Sequence, residues 1–168
     1  MGINLTNGTI ESVADGTTEN LLKFPANFSN PDWPAFHAYR DDGHISSPST
    51  TTVVFNGTRL NNGSHYDTST GIFTAPIDGI YWFHCYSMDY NGGAQQVNKY
   101  FIMVKNNTRN VANELRCYTS SSGAFRAHRT GGNLYNMDAG DTMRVITINA
   151  TMYGTSYVYL YFDGALIA

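Results

Sequence analysis

Residues 65–86 read HYDTSTGIFTAPIDGIYWFHCY, and this stretch carries most of the information about the fold. Turn-forming residues fill positions 67–71, and a short β-branched and aromatic run follows at 72–74. An Asp-Gly pair at 78–79 marks a second turn, where a side chain would obstruct the chain. Residues 80–86 are then almost entirely aromatic or aliphatic. The stretch therefore predicts a short strand, a turn and a long buried strand.

The rest of the chain repeats this pattern of short strands and turns. Aromatic residues and charged residues each make up 14% of the 168 residues. Thr, Asn and Gly are abundant, and this composition disfavours long helices. About ten short strands separated by turns are typical of a sandwich or jelly roll. The candidate strands are 35–40, 51–55, 72–75, 80–89, 97–105, 109–118, 124–135, 142–150 and 157–162.

Two of these strands are apolar or aromatic on both faces. They are residues 80–86 and residues 157–162. In an ordinary sandwich one face of each strand meets water, so a strand without polar alternation predicts that its outer face is covered. A second copy of the same chain is the economical cover, and a loop of the chain itself is the alternative.

A spaced set of large and small residues resembles the signature of the C1q-like, tumour-necrosis-factor-type domain. Only the last position departs from that pattern, because Cys85 stands where the family has an aromatic residue. The Gly140-Asp141 turn also resembles the family, and the likeness extends from about Ala35 to Phe162. We expect the signature residues to fill one core, where each large side chain contributes about 1.5–3 kcal/mol through burial. They are Phe55, Asn61, Tyr66, Phe73, Gly79, Tyr81 and Phe83.

The resemblance implies an all-β, ten-strand jelly-roll sandwich that forms a homotrimer through its inner sheet. By that analogy the two aromatic strands lie near the threefold axis, in agreement with their two apolar faces. The residues expected at the trimer interface are Tyr81, Trp82, Phe83, His84, Tyr86, Tyr157, Tyr159 and Tyr161.

The resemblance also implies an apex made of the loops 41–50, 90–96, 119–123 and 151–156. These loops are rich in Tyr, Asn, Ser and Gly, which adaptable binding loops favour. Some family members bind calcium near the apex, and Asp41, Asp42 and Asp89 are the candidate ligands here; no other metal or cofactor is expected. The residues expected to bind a ligand are Asp41, Asp42, His44, Tyr90, Asn91 and Tyr153.

Composition divides the chain into residues 1–33 and residues 34–168. The first part is rich in Asn, Thr, Gly and Ser and ends near the turn-forming run Asn30–Pro34, so we interpret it as an extended arm for anchoring or assembly. Residues 1–6 lack the basic and apolar regions of a secretory signal. Residues 34–168 form the jelly-roll domain.

No motif predicts catalysis, so we expect a protein that binds and is not an enzyme. His84 could meet its copies on a threefold axis, although a packed or hydrogen-bonded His is the simpler interpretation. Cys85 and Cys117 are expected to be buried thiols, with a bridge between neighbouring strands left open. The net charge of −3 without a basic patch disfavours nucleic acid, and no run of about 20 apolar residues could span a bilayer.

Two biological settings fit these features. The first is a bacteriophage virion-surface trimer, a head-decoration protein or a tail-fibre tip, in which residues 1–33 attach to other virion proteins and the apical loops bind a host receptor or glycan. Low charge and abundant Asn, Thr and Tyr favour it. The alternative is a secreted animal C1q-domain recognition protein, either a lectin or a cytokine-like ligand, since animal members of the family are secreted.

Overall fold

A computed structural model of the chain describes residues 3–6, 9–14, 17–23, 33–47, 49–88, 99–108, 114–117, 128–148, 150–152, 154 and 159–168. The chain divides into two compact units, Met1–Trp33 and Pro34–Ala168. No helix in the described part is long and apolar enough to cross a membrane.

The first unit contains three paired strands where composition suggested an extended arm. They are β1 (Ile3–Thr6), β2 (Thr9–Ala14) and β3 (Thr17–Lys23), in one antiparallel sheet. Thr6 pairs with Thr9, and Ala14 pairs with Thr17, so two residues connect each pair of strands. These connecting pairs are Asn-Gly and Asp-Gly, the strongest short sequence signals for a β-hairpin.

The second unit contains two large antiparallel sheets. In the five-stranded sheet the strands follow one another in the order β13-β10-β16-β4-β7. Their bounds are β4 (Ala35–Tyr39), β7 (Gly57–Asn62), β10 (Gly79–Met88), β13 (His128–Met137) and β16 (Leu160–Leu166). Strand β16 continues beyond residue 162, where the sequence predicted its end, because Asp163 and Gly164 pair with strands on both sides.

The six-stranded sheet has the order β12-β11-β14-β9-β8, and β6 also pairs with β14. Its strands are β6 (Thr51–Thr52), β8 (Tyr66–Asp67), β9 (Ile72–Thr74), β11 (Lys99–Lys105), β12 (Glu114–Cys117) and β14 (Thr142–Ile148). A separate two-stranded ribbon joins β5 (Ile45–Ser47) to β15 (Ala150–Met152). The predicted all-β sandwich of antiparallel sheets is therefore confirmed.

Aromatic rings fill the space between the two sheets. Phe36 lies at the centre: its ring stacks on Tyr66 at 4.9 Å and on Phe73 at 5.1 Å, and it meets Phe162 edge-on at 4.9 Å. Every large signature residue is at most 2% exposed: Phe55, Tyr66, Phe73, Tyr81 and Phe83. These positions thus form the core that their spacing predicts.

Asn61 and Gly79 act in the fold through local contacts. The Asn61 side chain accepts a hydrogen bond from the Tyr66 backbone N–H at 3.1 Å and donates one to the Tyr66 carbonyl at 2.9 Å, as a paired strand would. A Cβ on Gly79 would lie 2.5 Å from the carbonyl oxygen of Ala168. Gly79 is therefore required by the close approach of the C-terminal segment, which the turn interpretation did not include.

Candidate interaction surface

The outer face of the five-stranded sheet is built by the alternation of side chains along its strands. In β10 the side chains of Tyr81 and Phe83 are fully buried in the core, whereas Trp82 is 38% exposed. Because successive side chains of a strand point to opposite faces, residues 80, 82, 84 and 86 share the outer face. We call this surface the outer face throughout.

The pairing register aligns the outer face into rows that run across the strands, three of which cross at least four strands. One row is Leu134, Trp82, Ala165 and Ala35. The middle row is Gly132, His84, Asp163, His37 and Leu60. The third row is Thr130, Tyr86, Tyr161 and Tyr39.

Aromatic rings are stacked on one another across the outer face. The rings of Tyr86 and Tyr161 lie 4.9 Å apart with planes 10° apart, and Trp82 stacks on His84 at 5.4 Å and 5°. Burial, and then the neighbouring Asp163 carboxylate, raise the pKa of Tyr161, so its phenol stays neutral at physiological pH. The face is therefore a preorganised surface of stacked rings with one polar row through its middle.

The middle row is a continuous chain of polar contacts. The Asp163 carboxylate meets His37 Nδ1 at 2.5 Å through one oxygen and His84 Nδ1 at 3.4 Å through the other. The opposite nitrogen of His84, Nε2, lies 2.8 Å from the Thr130 hydroxyl. One carboxylate thus serves two imidazoles from the two strands that flank it.

Exposed apolar side chains concentrate on the same sheet. Six large apolar side chains of the described residues are more than a third exposed. Five of them belong to strands of the five-stranded sheet or to the residue that follows β16: Leu60, Ile80, Trp82, Leu134 and Ile167. The sixth, Ile77, lies in the loop before β10. A patch of this kind marks an interaction site more often than scattered exposed residues do.

Only some of the residues predicted for the trimer interface lie on the outer face. Trp82, His84, Tyr86 and Tyr161 lie on the outer face. The assignment of Tyr81 and Phe83 to that interface is wrong for their side chains, because strand alternation directs both into the core, where they are 0% exposed.

Tyr159 is half-buried just before β16, and Tyr157 lies outside the described residues. Sequence reasoning missed several members of the face. They are Leu60, His37, Asp163, Thr130 and Leu134. The sequence signal for them was the presence of two large apolar residues, Leu60 and Leu134, among mostly polar neighbours.

At the predicted apex, Arg40 organises the loop that follows β4. Its guanidinium forms an ion pair with the Asp42 carboxylate at 2.6 Å and donates to the carbonyls of Asp42, Gly43 and Val54. Asp41 is joined to the Asn56 amide at 3.1 Å. Asp41, Asp42 and His44 are all exposed, as binding residues require.

Two of the predicted apical loops are joined. The β5–β15 ribbon pairs Ser47 with Ala150 and Ile45 with Met152. A Cβ on Gly154 would lie 2.0 Å from the Gly43 carbonyl oxygen, so the two segments are in close contact. The other predicted binding residues, Tyr90, Asn91 and Tyr153, lie outside the described residues, as do the loops 90–96 and 119–123.

The described carboxylates at the apex are too few to form a calcium site by themselves. The Asp42 carboxylate is neutralised by Arg40, and the described residues contain no group of three or more side chains that could hold a metal ion. The third predicted ligand, Asp89, lies outside the described residues. Calcium binding stays a prediction.

Cys85 and a surface groove are the remaining features that could bear on reactivity. Cys85 is a free thiol that is 0% exposed, and burial raises its pKa, which keeps it protonated and unreactive. A groove of about 460 Å³ lies beside the edge strand β13, lined by Lys105, Asn106, Thr108 and residues 133–136. Lys105 is held there by an ion pair with Asp141 at 2.7 Å, and no nucleophile paired with a base lines the groove.

Comparison with known proteins identifies the family to which this architecture corresponds. The family described as the C1q domain matches residues 35–167. Complement C1q tumor necrosis factor-related protein 5 of Rattus norvegicus is 35% identical over 78 residues, and its Homo sapiens counterpart is 33% identical over 78 residues. These matches cover 46% of the chain but only 30% of either relative.

Solved structures show the same fold at low sequence identity. The globular domain of zebrafish complement 1qA protein superposes with a TM-score of 0.58 at 17% identity, over 80% of this chain and 98% of that one. Eiger TNF from S. frugiperda gives 0.62 at 10% identity, over 82% and 94%. Murine APRIL gives 0.57 at 12% identity, over 79% and 98%.

Proposed function

Because the chain belongs to the C1q domain family, we propose that it is a non-enzymatic, extracellular recognition protein that assembles as a homotrimer. In this proposal the outer face is buried between copies. The paired apical segments, 41–47 and 150–154, bind the ligand.

One observation carries the proposal: apolar exposure is concentrated on a single sheet. Five of the six strongly exposed large apolar side chains of the described residues belong to strands of the five-stranded sheet or to the residue that follows β16. A second copy is the occupant we propose, since it presents the same apolar surface and the same stacked rings. In a cyclic trimer, the outer faces of the three copies surround one axis and cover one another.

The virion-surface role, the first hypothesis from the sequence, gains no support from the comparisons. The curated relatives are animal proteins, from rat and human. We therefore propose the alternative setting, a secreted protein that recognises a glycan or a protein receptor. Attachment through residues 1–33 stays a prediction.

The test of the assembly is the mass of the full chain in solution, measured by light scattering over a range of concentrations. The proposal expects three times the chain mass of 18.6 kDa. A protein that stays at the mass of one chain at the highest concentrations contradicts it.

The test of recognition uses a glycan microarray probed with the full chain and with an Asp41→Ala/His44→Ala variant. Both residues are exposed in the loop that Arg40 organises, so the exchange removes binding groups without touching the core. Signals present for the full chain and absent for the variant support an apical site. Signals that both proteins share place the binding elsewhere.

A further inference from the structure

We infer that the side chains of Asn133 and Lys105 close the free edge of strand β13 against pairing with a strand of another copy of the chain. We call these two side chains the edge caps. Pairing at this edge is a different contact from association through the outer face. The inference therefore does not rest on the proposed function, and it holds for a monomer and for a trimer.

Strand β13 is the outermost strand on one side of the five-stranded sheet. In the described part of the chain it pairs with β10 alone. An edge strand presents backbone N–H and C=O groups that can pair with another chain. The groove of about 460 Å³ lies along residues 133–136, so there is space beside this part of the edge.

The sequence of β13 does not supply the usual protection of an edge strand. Residues 130–137 read TGGNLYNM and contain neither a charged residue nor a proline. Charged residues and proline are what edge strands commonly use to prevent pairing. Leu134 in this segment is 58% exposed, and an exposed apolar residue in an uncharged strand favours pairing between chains. Protection of this edge has to come from other contacts.

The hydrogen bonds of Ile80 show which backbone groups of β13 face the free edge. Ile80 on β10 lies opposite Asn136 on β13. Its N–H donates to the Ala168 carbonyl at 2.7 Å and its carbonyl accepts from the Ile167 N–H at 2.7 Å, so both groups face away from β13. Residues 80 and 136 are therefore a pair without mutual hydrogen bonds, and the backbone groups of Asn136 point to the free edge. Two residues earlier, those of Leu134 point the same way.

The edge caps occupy two of these outward groups. The Leu134 N–H donates to Asn133 Oδ1 at 2.9 Å. The Asn136 carbonyl accepts from the Lys105 ammonium at 2.6 Å. Lys105 belongs to β11 in the other sheet, and an ion pair with Asp141 at 2.7 Å holds it in place. A strand that pairs with residues 134–136 has to break both bonds first, which makes its pairing less favourable.

The charge of Lys105 adds to this protection. Its side chain is 33% exposed beside the edge. A second strand laid along residues 133–136 would cover the ammonium, and removal of a charged group from water is unfavourable. Lysine is a common guard of edge strands, and here it is supplied by the opposite sheet.

The experiment follows the particle size of the full chain over time by light scattering, for the Asn133→Ala/Lys105→Met variant and two matched controls. Asn136→Ala removes an amide side chain from the same strand but keeps the carbonyl that Lys105 contacts. Asp141→Asn removes the ion pair but keeps the ammonium for that carbonyl, so it controls for lost stability. We expect the double variant to grow into larger assemblies at least about tenfold faster than either control.

Two results of this comparison overturn the inference. One is a double variant that stays as dispersed as the controls. The other is growth of Asp141→Asn as fast as that of the double variant, because it would trace the assembly to lower stability and not to the open edge.

A fluorescent synthetic peptide with the sequence of residues 128–137 tests pairing at the edge directly, by anisotropy. The protein is the single variant Asn133→Ala, which keeps Lys105 and its ion pair and so remains usable if the double variant fails to fold. We expect the peptide to bind this variant more tightly than the original chain, and a scrambled peptide to bind neither. Equal binding of the peptide to the variant and to the original chain contradicts the role of Asn133.

Discussion

The ring of Tyr86 on β10 lies flat on the ring of Tyr161 on β16, with centroids 4.9 Å apart and planes 10° apart. This pair is formed inside one protomer, as is the stack of Trp82 on His84. Side chains that are already ordered lose little further entropy when a partner covers them. In the proposed assembly, the outer face is therefore already ordered before a second copy covers it.

Asn61 should contribute to stability through its two bonds to the Tyr66 backbone. The Asn61→Ala variant loses both, in a half-buried setting, and should lower the free energy of unfolding by about 1–3 kcal/mol in a urea titration. An Asn136→Ala variant, at an exposed position, should change it by less than about 0.5 kcal/mol. Equal losses at the two positions contradict a special role for Asn61.

Asp141 should make stability fall in strong acid. Hydrogen bonds from Lys105, then from Asn106 and the Asp138 segment, lower the pKa of Asp141 from 3.8 to about 2. A depressed pKa in the folded state contributes stability above the unfolded value, which is lost as pH falls through the folded value. This contribution therefore disappears between about pH 4 and pH 2.

Thermal unfolding measured across that range checks the prediction. The Asp141→Asn variant should lose part of the acid dependence, whereas Asp138→Asn, at an exposed carboxylate nearby, should keep it. An Asp141→Asn variant with an unchanged acid profile contradicts the assignment.

Cys85 should react with thiol reagents only when the domain opens. Its side chain is 0% exposed and burial raises its pKa, so both access and thiolate formation are suppressed. In a Cys117→Ser background, modification of the native protein should be on the order of 1000-fold slower than that of the chain in denaturant. Comparable rates in the two conditions would show that the thiol is accessible.

Arg40 should hold the apical loop in its conformation. The Arg40→Met variant loses the bonds to the carbonyls of Asp42, Gly43 and Val54, so hydrogen exchange in a peptide covering 41–47 should become faster. Arg59→Met removes a cation of similar size that contacts only the Tyr39 ring, among the contacts described for it, and should leave that peptide unchanged. Equal exchange in the two variants contradicts this role.

The core was predictable from the sequence because the fold fixes how far apart its residues lie along the chain. Phe55, Tyr66, Phe73, Tyr81 and Phe83 come from separate parts of the chain and are buried in one core. The period of two along a strand also separates Tyr81 and Phe83 from Trp82. Applying that period to residues 80–86 would have removed the two core residues from the predicted interface.

The middle row of the outer face could not be predicted from the sequence. His37, His84 and Asp163 are far apart along the chain, and each is an isolated polar residue within its own strand. Only the register that aligns β4, β16 and β10 brings them to one line across the sheet. Long-range register of this kind depends on the whole fold and has no local signature.

The N-terminal strands were predictable and were missed. Asn7-Gly8 and Asp15-Gly16 each stand between residues that pair across a two-residue connection. Composition, which is rich in Asn, Thr and Gly, favoured an extended arm instead. The dipeptide signal is the more specific of the two, because it names both a turn type and the ends of the strands.

The measurement that tests the central claim most directly compares two charge insertions in the full chain by light scattering. Leu134 and Ile77 are similarly exposed, at 58% and 49%, but only Leu134 lies on the outer face. If copies cover that face, Leu134→Asp yields a folded monomer and Ile77→Asp remains a trimer. A Leu134→Asp variant that assembles as tightly as Ile77→Asp contradicts the account.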